Sequence, residues 1–218
     1  MPHALPDVNV GPNTGSAGRA RKAGLNVTTY RMETLPLTTE CDPLMQVGIF
    51  ADTHDHLDNI RLAVAEFNRR ACEVVLFAGD LVSTFAIPPL RKLNCPMIAS
   101  FGDNEGNKVG VRGGMQIIGE IGEPPFCFQL ADGKRVLLTH QRELIREPVD
   151  GVDIIVYAHT HKPKCHRDEA GRLWINPGET SGWTYGKPSI VMLDTERMEC
   201  EIVWLRELVD VGSAVRTT

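Results

Sequence analysis

Continuous apolar runs, each closed by polar residues, recur along the chain from residue 46 onward, and no such pattern precedes them. Val47-Gly48-Ile49-Phe50-Ala51, Val74-Val75-Leu76-Phe77-Ala78 and Pro96-Met97-Ile98-Ala99-Ser100-Phe101 have the unbroken apolar character of buried strands. Between the first two, Ile60, Ala63, Val64 and Phe67 fall on one face at helical spacing, and Asp58 is placed to cap that helix. Three apolar strands joined by segments long enough for helices predict βαβ units and a parallel sheet. The second half is richer in strands. Residues 126–130 and 135–139 flank the hairpin signal Ala131-Asp132-Gly133, and 153–158 is another apolar strand. Residues 173–176, 189–193 and 199–204 read as antiparallel closing strands. One parallel and one antiparallel half predict two packed sheets flanked by helices.

Residues 1–44 differ in kind. They are rich in Pro, Gly, Ala and Asn, and such a segment cannot bury enough apolar surface to offset its ordering entropy. They read as a disordered extension, or as a stretch upstream of a true start at Met45. An organellar transit peptide around the basic Arg19 to Arg31 stays open, while the apolar core of a secretory signal is lacking. Residues 45–218 are expected to form a single domain. A chain of 218 residues with 42% hydrophobic and 23% charged positions suits a soluble globular protein, and no apolar run approaches the ~20 residues of a spanning helix. Cysteines at 41, 72, 95, 127, 165 and 200 are scattered without a CxxC pair, which predicts reduced thiols and a cytoplasmic location. The formal net charge is −5, and residues 1–44 balance four basic against four acidic groups, leaving 19 basic and 24 acidic residues beyond them. That balance disfavours a nucleic-acid partner and suits a site that gathers cations.

The chemistry sits where the strands end. The first ends in Asp52-Thr53-His54, the second in Gly79-Asp80, the third in Gly102-Asp103-Asn104-Glu105. Later strands end in Thr139-His140 and Ala158-His159-Thr160-His161. Ligands of open α/β sheets bind outside the carboxyl ends of the strands, so these clusters are expected to converge. Four imidazoles and three carboxylates, without sulfur, suit Mn, Fe, Zn or a similar divalent ion. Seven side chains exceed the needs of one ion and match two ions that share a bridging carboxylate. Such a pair holds a hydroxide and clamps an in-line displacement at phosphorus.

The string DTH…GD…GDNE…TH…AHTH, with Asn176-Pro177-Gly178 before the closing strands, resembles the calcineurin-like metallophosphoesterases. It is most similar to their small bacterial and archaeal phosphodiesterase branch, to which the retromer's phosphoesterase-like subunit is related. The resemblance spans residues 46 to about 205. It implies an α/β four-layer α-β-β-α sandwich of two mixed sheets flanked by helices, the metallo-dependent phosphatase fold. Carried over residue by residue, it assigns Asp52, His54 and His161 to a first metal, Asp80 to a bridge, and Asp103, His140 and His159 to a second. The metals implied are two Mn ions, with Ni, Fe, Zn or Mg as alternatives. Asp103 stands where the family usually has Asn, and Asn104 as the ligand remains an alternative. Asn104 also occupies the place of a His that aids the leaving group in larger members, and an amide cannot supply that proton.

Glu105 is the expected acid that orients an imidazole. Asp55 and His56 are expected at the rim, with Thr160, Asn176 and Asn104 near substrate oxygens. Asn176 serves equally as a turn residue. Trp174, Trp183 and Tyr185 line the cleft or fill core and rim, and His3 and His166 are expected in solvent. The reading is hydrolysis of a phosphate ester, a small phosphodiester above a monoester. The rivals are a nuclease and a non-catalytic interaction scaffold on the same fold. A homodimer through an edge strand or helix face stays open.

Overall fold

The computed structural model describes residues 45–146 and 149–206. In chain order the elements are β1 (Gln46–Phe50), α1 (Leu57–Arg69), β2 (Val74–Phe77), a 3-10 turn (Thr84–Ala86), α2 (Ile87–Leu90), β3 (Met97–Ser100), α3 (Lys108–Met115) and β4 (Gly119–Gly122). Then follow β5 (Phe126–Gln129), β6 (Arg135–Leu138), a second 3-10 turn (Arg142–Leu144), β7 (Ile154–Val156), β8 (Lys164–Arg167), β9 (Leu173–Asn176), β10 (Ser189–Asp194) and β11 (Glu199–Trp204).

The strands form two sheets, ordered β11-β10-β1-β2-β3-β4 and β5-β6-β7-β9-β8. The first sheet is parallel from β1 to β4, and β10 and β11 extend it antiparallel. In the second, β6, β7 and β9 run parallel between the antiparallel edges β5 and β8. This corrects the division into a parallel and an antiparallel half. Residues 173–176 pair parallel to β7, and the last two strands return to the first sheet. The predicted hairpin is present, with Gly133 in the left-handed region and its N–H donating to Leu130 O at 3.0 Å.

Alternation on buried strands fills two layers at once. Val47, Ile49, Leu76 and Val191 face Val136, Ile154, Val156 and Ile175 between the sheets. Phe50, Val75, Phe77 and Ala99 face the helices, where Ile60, Ala63, Val64 and Phe67 of α1 meet them. Gly48 lets α1 lie close, because a Cβ there would collide with the Phe67 ring. The α1 cap is His56, whose side chain accepts from Asn59 N, and not Asp58, which lies in the first turn. The outer face of the second sheet is covered, among the described residues, by the second 3-10 turn and its flanking loop. Leu137, Ile155, Tyr157 and Trp174 pack there against Val149 and Val152. His166, expected in solvent, is half-buried on β8 and stacked on Trp174 at 6.1 Å. Cys41, His3 and the rest of residues 1–44 lie outside the described residues. Among the described residues, no helix is long and apolar enough to cross a membrane.

A buried carboxylate ties α1 to the sheet edge. Glu66 accepts from Arg69 Nε at 2.7 Å and from Arg70 Nε at 2.8 Å, and Arg70 reaches Glu201 on β11 at 2.7 Å. The hydrogen bonds from Arg69 hold the Glu66 carboxyl below its usual pKa, against burial, with Arg70 adding to the effect. A carboxylate depressed on folding contributes stability above its unfolded pKa and loses it as pH falls through the folded one. Glu66→Gln is therefore expected to cost about 1–2 kcal/mol at pH 7, a Tm loss of about 3–6 °C. The gap from the parent protein should begin to narrow as pH falls below about 4, the ordinary carboxylate range. Thermal unfolding followed from pH 7 down to pH 2 checks this, and a gap that does not narrow would assign the effect to packing instead.

Candidate metal centre

All five strand-end clusters meet at one edge of the sandwich. Asp52 and His54 follow β1, Asp80 follows β2, Asp103 follows β3, His140 follows β6, and His159 and His161 follow β7. Their candidate ligand atoms form three groups, each within 4.8 Å: Asp52–His54–His161, Asp103–His140–His159 and Asp52–Asp80–His140. The third group joins the other two.

The loops that carry these side chains are laced by backbone bonds. Asp52 N donates to Gly79 O at 2.9 Å, Thr53 N and His54 N donate to Asp80 O at 3.1 Å, and Ser181 N donates to Asp52 O at 3.1 Å. Close approach dictates two glycines. A Cβ on Gly79, at φ +99°, would lie 2.7 Å from His140 Nδ1, and one on Gly102 would collide with the Asp80 carboxylate. Asp52, His54, Asp80, His159 and His161 all hold φ between +40° and +67°. Left-handed backbone at non-glycine residues is costly and clusters where function requires it.

Partners fix the ring orientations. His140 Nδ1 lies 2.7 Å from Ala78 O, which can only accept, so Nδ1 carries the proton and Nε2 faces the carboxylates. That Nε2 is 2.8 Å from Asp103 Oδ1 and 3.4 Å from Asp80 Oδ2. His161 Nδ1 lies 3.0 Å from Glu179 Oε2 and turns Nε2 to within 3.4 Å of Asp52 Oδ1. His159 presents Nδ1, 3.3 Å from Asp103 Oδ1. Asp80 Oδ2 lies between the groups, 3.6 Å from His54 Nε2 on one side and near His140 on the other.

The electrostatics of this cluster call for cations. Asp52 is 0% exposed, and among the described residues neither of its oxygens nor His54 Nε2 has a hydrogen-bond partner. Burial pushes the Asp52 carboxyl up to about 7, with His140 and His161 opposing. Burial acts on Asp80 in the same direction, but His140 and the two Asn104 donors outweigh it and hold that carboxyl well below the usual range. Burial lowers the His140 pKa, yet Asp80 and Asp52 carry it up to about 9. Burial also lowers that of His54. A buried carboxylate that accepts no hydrogen bond is costly, and a divalent ion at Asp52 and His54 would offset that cost. With a nitrogen and oxygen donor set, the residues fit divalent metals.

The remaining predicted residues separate into roles. Asn104 Nδ2 donates to Asp80 Oδ2 at 2.8 Å and its backbone N to Asp80 Oδ1 at 2.9 Å, while Asp103 points at His140 and His159. Glu105 touches no imidazole. It accepts from the backbone N–H groups of Asp80, Leu81 and Gly102, fastening the β2 and β3 loops together. The imidazole-orienting acid is instead Glu179, which is fully buried and also accepts from Thr184 N at 2.8 Å and Tyr185 N at 2.5 Å. The signal in the sequence was the acid directly after Asn176-Pro177-Gly178. Asn176 holds the loop after β7, donating to Ala158 O and to Thr160 Oγ1 and accepting from Gly178 N. Thr160 is exposed at the rim, Asp55 accepts from Ser83 N, and His56 stacks on Trp183. Trp174 is core, whereas Trp183 and Tyr185 are exposed.

Comparison with known proteins identifies the family. The calcineurin-like phosphoesterase superfamily domain is matched across residues 45–198. The chain is 37% identical over 160 residues to phosphodiesterase MJ0936 of Methanocaldococcus jannaschii, covering 71% of this chain and 96% of that protein. A solved archaeal phosphodiesterase superposes with a TM-score of 0.69 at 33% identity, over 73% of this chain and 99% of that one. Yfce, a phosphoesterase from E. coli, shares the fold with a TM-score of 0.54 at 21% identity, over 74% of this chain and 100% of that one.

Proposed function

The chain belongs to the calcineurin-like phosphoesterase superfamily, and from that premise we propose that it is a metal-dependent phosphodiesterase acting on a small phosphodiester. The observation that carries the reading is the pair of His/Asp trios joined through buried, unpartnered Asp52 and through Asp80. Asp52, His54 and His161 would hold one divalent ion, Asp103, His140 and His159 would hold another, and Asp80, placed between them, would serve both. Mn is the first choice, with Ni, Fe, Zn or Mg as alternatives. Bound there, the two ions supply Lewis acidity, lowering the pKa of water and offsetting the charge on phosphoryl oxygens. The identity to a phosphodiesterase favours a diester over a monoester.

The chain's own residues orient and protect. Glu179 and the Ala78 carbonyl each accept a hydrogen bond from Nδ1–H of a histidine, leaving Nε2 of His161 and His140 free to ligate. Asn104 directs both its donors at Asp80, so it positions that carboxylate and offers no proton to a leaving group. His159, with 43% of its side chain exposed, meets an entering ester. In the reaction one water is consumed: its oxygen bonds to phosphorus, one phosphorus–oxygen ester bond breaks, and the departing alcohol takes up a proton. The net charge of −5 supports a small ester over a nucleic acid. Free thiols at Cys72, Cys95 and Cys127 suit a cytoplasmic setting, and residues 45–218 are read as the single catalytic domain.

The experiment is hydrolysis of an aryl phosphodiester and its monoester by metal-stripped protein, with Mn, Ni, Zn or Mg added back. Turnover is expected to return only with metal, to favour the diester, and to fall at least ~10³-fold in His159→Ala, about 4 kcal/mol of barrier. Full activity without metal would overturn the reading.

A further inference from the structure

We propose that the face of Trp183 is a stacking platform for a nucleobase on one ester arm of the substrate, an inference that rests on the phosphodiesterase reading above. Trp183 is 66% exposed, yet it is fixed in place. Its Nε1–H donates to His54 O at 3.3 Å, and its ring lies 4.8 Å from the His56 imidazole at 40°. Its loop is anchored by the buried Glu179, which accepts from both Thr184 N and Tyr185 N. One edge of the indole therefore bonds to the backbone of a proposed metal ligand, while much of its surface is left to solvent.

The indole's single donor is taken by His54 O, so the side chain offers a partner its π surface and no free hydrogen-bond donor. A flat ring can use such a surface, and base stacking on an aromatic side chain is tolerant of base identity. Alongside lies a recess of about 230 Å³, lined by His56, Asn59, Leu62, Trp183, Pro188 and Arg206 among others. That is below the ~300–1,000 Å³ of pockets that enclose a whole ligand, and it suits one arm of an ester whose phosphate is held elsewhere. Tyr185, 48% exposed, carries the Lys162 ammonium 5.3 Å from its ring centroid, and Thr184 Oγ1 between the two aromatics lies 2.9 Å from His161 Nδ1. The aromatic rim is thus continuous with the metal trio that includes His54 and His161.

The test uses two esters with one leaving group, thymidine 5′-p-nitrophenyl phosphate and methyl p-nitrophenyl phosphate, on the metal-loaded full chain. In Trp183→Ala the ratio of kcat/KM for the nucleoside ester over the methyl ester is expected to fall about tenfold, chiefly through KM. Trp183→Phe, which keeps an aromatic face and loses the bond to His54 O, should hold the ratio near that of the parent. Damage to the metal centre lowers both esters together. A ratio unchanged in Trp183→Ala therefore overturns the platform, whatever the absolute rates. Quenching of indole emission by thymidine 5′-monophosphate gives a readout free of turnover. Saturable quenching that disappears in Trp183→Phe supports the platform even if neither ester is hydrolysed, in which case the phosphodiesterase reading alone fails. No quenching in the parent protein overturns the platform while leaving that reading to the metal add-back result.

Discussion

Asp80→Asn is expected to empty both metal positions together and to lower turnover by at least ~10³-fold, about 4 kcal/mol of barrier. Asp80 is 1% exposed, and its Oδ2 lies 3.4 Å from His140 Nε2 and 3.6 Å from His54 Nε2, between the two trios. An amide of the same shape brings a neutral oxygen where two cations require an anion. It also sets an N–H against the Asn104 Nδ2 donor that now bonds Asp80 at 2.8 Å. Loss at one position alone would show that Asp80 serves a single ion. Asn104→Ala is the matched comparison, because it removes one hydrogen bond to Asp80 and no proposed ligand. Metal content should remain at the parent level there. Elemental analysis after gel filtration, beside turnover of an aryl diester, distinguishes these results.

The second large effect is expected from Glu179→Ala. This carboxylate is fully buried, lies 3.0 Å from His161 Nδ1 and accepts from the backbone of Thr184 and Tyr185. Those amide donors hold its pKa low even though burial pushes it up. Its removal strands the Thr184 and Tyr185 N–H groups and leaves Thr184 Oγ1, at 2.9 Å, as the remaining partner of His161 Nδ1. Stability should fall by about 2–4 kcal/mol. Affinity at the Asp52–His54–His161 position should weaken about 10–100-fold, the usual cost of losing the partner of a ligating histidine. The Asp103–His140–His159 position has no contact with Glu179 and should change less. A stepwise metal titration reads the two positions separately, and equal weakening at both would mean that the substitution acts through global loosening. Glu179→Gln keeps an acceptor for one backbone N–H and should fall between the parent and Ala.

What the sequence disclosed and what it hid follow from how each feature is stabilised. The strands that build the site are continuous apolar runs, and burial on both faces writes that pattern directly into β1, β2, β3 and β7. The elements not anticipated lack any such pattern. α3 contains Gly110, Gly113 and Gly114, and its helix depends on the Asn107 side chain accepting from Gly110 N and on burial of Val111 and Met115. β8, Lys-Cys-His-Arg, is an edge strand defined by its pairing with β9. β4 begins at Gly119, where a Cβ would collide with Met97 O, so its register is set by a neighbour. The seven proposed ligands were legible because strand ends in this kind of sheet share one edge. Glu179 was harder to find, since its place directly after Asn176-Pro177-Gly178 marks it as notable but does not say which imidazole it will meet after folding. His56 displaced Asp58 as the α1 cap for the same kind of reason: its ring is held by Trp183, far along the chain.

Each trio draws on both halves of the polypeptide: Asp52 and His54 with His161, and Asp103 with His140 and His159. Ribosomal synthesis delivers the carboxylates first. A nascent chain that has reached β4 has exposed Asp52, Asp80 and Asp103 but, of the four histidines, His54 alone. The trios are complete only once the chain through His159 and His161 has emerged, so on the proposed reading ion capture would come late in the life of the new chain. On the proposed reading, each ion would rivet the two sheets together, joining residues that follow β1 and β3 to residues that follow β6 and β7.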